Sequence, residues 1–227
     1  MTTQQRVLTA LRCEQPDRVP VFLYLNPYSP GSRLAADPSY AAVLIACGDY
    51  ADVIYDWYFP SGLFHTAALL ERESRVLADG VREDIVHTPA GPLRTHTAPD
   101  WRGGGTVKRW ITEPEDVERL LSIPYVPAEP DLTPVLDARG QEQWVVQMTF
   151  NDPICVAALI DETVMALWTI EHRDLLRAML EEASRRILAE LDYCLRNGAG
   201  PIYYFNGPEF ALPPLMSPQD FEEFVVA

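Results

Sequence analysis

Polar residues recur just past the apolar, β-rich runs of this chain, and they are the first candidates for chemistry. Asn26 and Tyr28 follow the run 19–24, and Asp56 lies near the end of 52–57. Asn151 and Asp152 follow 144–150, while Asn206 ends the run 202–206 and Glu209 follows it. A carboxylate such as Asp56 at a semi-buried strand end can accept two N–H bonds from a ligand or serve as a general base. The competing reading is that Asp56 caps a neighbouring turn and that the asparagines and Glu209 shape loops. Asp152-Pro153 is predicted to start a helix. Trp57, Tyr58 and Phe59 form an aromatic cluster that suits either core packing or the wall of a pocket for a flat macrocycle.

Other catalytic sets are absent by spacing. Cys13, Cys47, Cys155 and Cys194 form no CxxC pair, and His65, His87, His96 and His172 form no HxxxH or HxC pattern. Scattered cysteines of this kind are expected to be free thiols, mostly small core residues, and no zinc ligand set can be assembled from these spacings. No GxGxxG or GxxxxGK[ST] loop follows any predicted strand, which argues against a nucleotide-binding doubly wound fold.

The elements that must hold these residues alternate. A helix is predicted over about Thr3–Cys13, from the spacing of Val7, Leu8 and Leu11. The run Val19–Tyr24 is apolar on both faces, as a buried parallel strand requires. A helix around Ser39–Cys47 and a second strand over Asp52–Trp57 follow. Residues 75–110 break the pattern, with short apolar stretches separated by Gly-containing turns, and are predicted to form a β-meander. Thr112-x-x-Glu115 with Pro114 suggests a capped helix start. A third strand is expected over Trp144–Phe150. A long helix is expected over Ile170–Arg196, with Leu175, Leu176, Met179, Leu180, Ala183, Ile187, Leu188 and Leu191 as its apolar stripe and Asn197-Gly198 as its stop. The fourth strand is Ile202–Asn206, and Ser217-Pro218 opens a last helix. Alternating strands and helices imply an α/β fold with a parallel sheet. Four strands make about half of a (β/α)8 barrel, which needs eight.

Composition sets outer limits. The chain has 227 residues, 48% of them hydrophobic and 22% charged, and a formal net charge of −15. A field of that sign repels phosphate backbones and anionic lipid surfaces, so neither nucleic acid nor membrane is an expected partner. No stretch approaches the ~20 apolar residues that cross a bilayer. The N-terminus lacks the apolar core of a signal peptide, so a cytoplasmic location is expected.

Four segments together carry a resemblance. They are Arg6–Leu11 with Pro16–Val21; Ala51–Asp56; Ile111–Val117; and Pro214–Phe224. Their order and spacing resemble the uroporphyrinogen decarboxylase superfamily, whose members include cobalamin-linked methyltransferases. The resemblance implies a single barrel domain spanning 1–227, with the meander as an insertion near 75–110 and the barrel incomplete at its C-terminal side. It also implies an enzyme acting on a tetrapyrrole- or corrinoid-linked substrate. Asp56 matches the family's central aspartate, which binds pyrrole N–H groups.

Three positions depart from the decarboxylases. The arginine-rich segment after their first strand is here Leu25–Gly31, with no arginine until Arg33. Leu159 stands where their active-site tyrosine is expected, and Asn206-Gly207 replaces an Asp-Ser pair. These departures favour the methyltransferase branch, in which zinc activates a thiol for transfer from a methyl-corrinoid. The zinc ligands of that branch lie in the C-terminal part of the barrel. Its partners are a small-molecule substrate or a corrinoid protein, and a homo-oligomer is compatible with an open sheet edge. The alternatives are uroporphyrinogen decarboxylation in porphyrin biosynthesis and a non-catalytic fragment or binding subunit.

Overall fold

The computed structural model describes residues 1–22, 36–60, 64, 70–77, 80–99, 105–142, 144–211, 213 and 216–226. The chain divides into two compact units: residues 1–60, 129–150 and 191–205 form the first, and 61–128, 151–190 and 206–227 the second.

The first unit is built on three strands: β1 (Val53–Tyr58), most of β6 (Trp144–Asn151) and most of β7 (Ile202–Asn206), in the order β1-β6-β7. β1 and β6 pair in parallel, with Val53 opposite Trp144 and Tyr58 opposite Thr149, and the Phe59 N–H extends the pairing to the Thr149 carbonyl at 3.1 Å. The centre of β6 is apolar on both faces. Val145, Val146 and Met148 are fully buried, as the middle strand of a covered parallel sheet demands. One face is closed by aromatic rings. Phe59 stacks on Phe150 at 5.8 Å, Phe150 stacks on Tyr203 and Phe205, and Tyr193 meets Phe59 edge-on.

Helix α1 (Thr3–Leu11) starts at a capping box between Thr2 and Gln5. The next helix, α2 (Ala41–Tyr50), follows a short 3₁₀ turn at Pro38–Tyr40. What ties α1 to the sheet is a charge cluster around the buried Asp52. Arg6 donates to Asp17 at 2.6 Å and to Asp52 at 2.6 Å, and Arg18 donates to the second oxygen of Asp52 at 2.9 Å. The Asp52 side chain has no solvent exposure at all.

The expected first strand is corrected here. Val19–Phe22 is irregular, with Val19, Val21 and Phe22 exposed, and Leu23 and Tyr24 lie outside the described residues. Asp52 explains the departure: Val21 N–H donates to its carboxylate, and Val21 C=O accepts the Asp52 N–H. Those backbone groups are therefore committed to Asp52. Among the described residues the parallel sheet has three strands, where four were expected, and it does not close into a barrel.

The second unit contains the meander as an antiparallel sheet, β2 (Arg72–Val76), β3 (Arg82–Thr88), β4 (Gly91–Ala98) and β5 (Gly105–Lys108), paired in chain order. The β3–β4 hairpin turns through Pro89 and Ala90, and Gly91 takes φ +119°, a conformation that glycine adopts without strain. Helix α3 (Pro114–Leu121) begins one residue later than predicted, with Glu113 as N-cap. Asp116, at the third helical position, accepts from the backbone N–H groups of Thr112 and Glu113.

A short helix, α4 (Thr133–Arg139), belongs to the first unit. Helices α5 (Glu162–Glu171) and α6 (Arg173–Arg196) replace the single start predicted at Ile170, because His172 leaves helical geometry between them. Along α6 the predicted stripe buries Leu176, Met179, Leu180, Ala183 and Ile187, whereas Leu188 is 62% exposed. The covered positions near it are instead Arg186 and Glu190. Helix α7 (Pro218–Phe221) opens on a Ser217–Asp220 capping box, as predicted, and continues as a π-helical turn over Glu222–Val226. Asp220 and Glu223 both grip Arg173, whose guanidinium lies 4.8 Å from the centre of the Phe224 ring.

Candidate functional site

Side chains alternate across a sheet, so the aromatic packing of Phe59, Phe150, Tyr203 and Phe205 assigns the other face by parity. That face carries Ile54, Asp56 and Tyr58 from β1, Val145, Gln147 and Thr149 from β6, and Tyr204 from β7. Asp56 stands opposite Gln147 in the register and is half-buried. It lies inside β1, two residues before the strand ends.

The Asp56 carboxylate is held by its neighbours on β6. The Thr149 hydroxyl donates to Oδ1 at 2.5 Å, and the Gln147 amide approaches the same oxygen at 3.3 Å. The Gln147 amide also donates to the Thr149 hydroxyl at 3.3 Å. Thr149 is 1% exposed, so its hydroxyl would be costly to leave unpaired. Tyr58 and Tyr204 on the same face are 53% and 45% exposed. The arrangement is an oriented hydrogen-bond acceptor on a sheet face with two exposed phenol side chains. It can bind N–H donors or hold a proton-accepting carboxylate in place. The aromatic cluster considered from sequence divides across the sheet. Phe59 is core at 5% exposure, with Trp57 against its edge, while Tyr58 is on the Asp56 face.

The second unit holds the remaining candidates. Asn151 ends β6 and is half-buried. Asp152 caps the 3₁₀ helix Pro153–Leu159, accepting from the Ile154 N–H at 2.9 Å, so it starts a helix as expected. Asn206 ends β7, and its carbonyl accepts both the Asp152 N–H at 2.8 Å and the Cys155 thiol at 3.0 Å. Gly207 follows at φ +121°, and a Cβ there would lie 1.9 Å from the Cys155 sulfur. Glu209 is exposed in the short turn Pro208–Ala211. Burial pushes the Cys155 thiol up to about 11, and the nearby Asp152 and Glu209 carboxylates push the same way. A thiol so disfavoured as thiolate is a poor nucleophile. Asn206, Asp152 and Cys155 thus meet at one point, where Asn206 contributes its backbone carbonyl.

Asn26 and Tyr28 lie outside the described residues. Sequence reasoning missed Gln147 and Thr149. The signal was present: they are the polar residues of the otherwise apolar run 144–150, two apart and so on one face. Among the described residues, no group of three or more His, Cys, Asp and Glu side chains could hold a metal ion. The described residues therefore do not supply a zinc ligand set. No described helix is long and apolar enough to cross a membrane.

No family model and no curated protein matches the sequence. Among solved structures, a methyltransferase from Methanosarcina mazei is similar at a TM-score of 0.48 and 16% sequence identity. The similarity covers 99% of this chain, which spans 64% of the length of that methyltransferase.

Proposed function

We propose that this chain forms part of a diverged enzyme of the uroporphyrinogen decarboxylase superfamily, with a partial (β/α)8 barrel and a tetrapyrrole- or corrinoid-linked substrate. In this reading the enzyme is a methyltransferase, and Asp56 accepts hydrogen bonds from substrate N–H groups. Such groups are the pyrrole N–H of a porphyrinogen or the carboxamide N–H of a corrinoid side chain. The observation that carries the reading is the oriented carboxylate itself: Asp56 is fixed through Oδ1 by Thr149 and Gln147 on a parallel-sheet face. The four sequence segments supply the family context. The replacements at Leu159 and Asn206-Gly207 favour methyl transfer over decarboxylation. A corrinoid, free or protein-bound, is the proposed methyl carrier. Zinc is expected of the branch, but the described residues do not form its site, and no step is assigned to it.

The test is an equilibrium titration of the wild type and Asp56→Asn with methylcobalamin and, separately, with uroporphyrinogen, followed by tryptophan fluorescence. Wild type should bind one of the two, and Asp56→Asn should bind it roughly tenfold more weakly, the scale of one charged hydrogen bond. Equal affinities, or no binding of either compound, would remove the proposal. Preference for uroporphyrinogen with release of carbon dioxide would replace methyl transfer by decarboxylation.

A further inference from the structure

We infer that Thr149 is a positioning residue for Asp56, fixing the carboxylate through a relay that runs from the Gln147 amide to the Thr149 hydroxyl to Asp56 Oδ1. The inference rests on the proposed role of Asp56 as the ligand's acceptor, but its physical content can be tested without a ligand.

Three features carry it. The first is direction. A hydroxyl has one proton, and here it lies between a donor and an acceptor. Gln147 Nε2 approaches Thr149 Oγ1 at 3.3 Å, and Thr149 Oγ1 is 2.5 Å from Asp56 Oδ1. An amide nitrogen can only donate, so the hydroxyl proton is committed to the carboxylate. The second feature is burial. Thr149 is 1% exposed, and its own strand is the middle one of the three. Water has little access to compete for the hydroxyl, and a donor in such surroundings is held more firmly than one at a surface.

The third feature is backbone anchorage. The Thr149 carbonyl accepts the Phe59 N–H at 3.1 Å, three residues beyond Asp56. Thr149 is therefore joined to β1 by its side chain and its main chain together, and the carboxylate cannot rotate about its terminal torsion without losing Oδ1 contacts to both Thr149 and Gln147. A threonine chosen only to fill space in a buried strand has no need of this geometry. Valine has a similar shape and no hydroxyl to satisfy.

The experiment uses Thr149→Val, Thr149→Ser and Gln147→Met in the full chain, with two readouts. Without ligand, the carboxyl ¹³C resonance of Asp56 should move in Thr149→Val and stay near its wild-type position in Thr149→Ser. Gln147→Met should move it by less, and this variant decides the matter if Thr149→Val does not fold. With whichever of methylcobalamin or uroporphyrinogen the wild type binds, Thr149→Val should weaken binding roughly tenfold and Thr149→Ser by under about twofold. In an Asp56→Ala background, where the acceptor of the Thr149 hydroxyl is gone, the same Thr149→Val change should alter binding by less than about twofold. An unmoved carboxyl resonance in both Thr149→Val and Gln147→Met would overturn the inference, as would equal losses in Thr149→Val and Thr149→Ser. Failure of the wild type to bind either compound would overturn the proposed function alone, since the resonance still decides whether Thr149 orients Asp56.

Discussion

Asp52 shares its buried carboxylate between two guanidiniums, and that arrangement changes what the N-terminal sequence pattern means. Arg6, Asp17, Arg18 and Asp52 belong to the segments that carry the family resemblance, and each of them holds the fold of the first unit. Removing one member of a buried ion pair strands the other in a poor solvent. Asp52→Ala should therefore cost about 3–5 kcal/mol, measured by urea unfolding. A loss below about 1 kcal/mol would show that the cluster is solvated in solution. Gly207 is a second residue with no freedom. Gly207→Ala places a methyl group against the Cys155 sulfur at a positive φ, so its melting temperature should fall by several degrees. Cys155→Ala should recover part of that loss and leave the φ strain. The Cys155 thiol, pushed up to about 11 by burial, should react with iodoacetamide at pH 8 far more slowly than the exposed Cys13. Comparable rates, read by mass spectrometry, would contradict the packing described around Gly207.

At the scale of elements, the other motif segments have structural uses too. Asp116 ties down two backbone N–H groups at the start of α3 and pairs with Arg119. Asp116→Ala should cost about 1–2 kcal/mol, the upper range for a lost helix cap. Ser217→Ala should cost about 1 kcal/mol for the same reason. Legibility followed local chemistry. Ser217-Pro218 and Asn197-Gly198 marked helix ends correctly because caps are decided within a few residues. The meander was legible from its turns. The strand expected at Val19–Tyr24 was not realised over Val19–Phe22, where the Val21 N–H goes to the side-chain carboxylate of Asp52, some thirty positions away and invisible to periodicity. Leu188 was placed on the α6 stripe by hydropathy, yet the covered positions are Arg186 and Glu190. The Arg186 guanidinium lies 4.8 and 5.2 Å from the ring centres of Phe64 and Tyr125. Asp56 was singled out from its place near a strand end; Gln147 and Thr149 are legible as a same-face polar pair, but their pairing with Asp56 needed the register of β1 on β6.

For the whole molecule, the formal charge of −15 and the ion pairs together set the response to pH. The Arg6 guanidinium holds the Asp17 carboxyl well below the usual range. Arg185 lowers Glu182, the Ser217 hydroxyl and Arg173 lower Asp220, and Arg173 lowers Glu223. A carboxylate lowered in the folded state stabilises fully above its unfolded value, near pH 4, and loses that contribution as pH falls through the folded value. Both units contain such groups. Stability should therefore be level from about pH 5 to 7 with respect to these carboxylates and fall steadily below about pH 4. Thermal melts across that range check it, and a molecule that melts at the same temperature at pH 3 and pH 6 would contradict the pairing.

The proposed role of Asp56 as an oriented acceptor belongs to the sheet face that also carries Gln147, Thr149 and Tyr204. Its most direct test is amide chemical-shift mapping of the wild type with methylcobalamin or uroporphyrinogen, repeated with Asp56→Asn. The predicted result is a set of shifts centred on Asp56, Gln147, Thr149 and Tyr204 that needs roughly tenfold more ligand to reach half-saturation in the variant, the rest of the ligand-free spectrum being kept. Shifts centred elsewhere, or the same half-saturation point in Asp56→Asn, would contradict it.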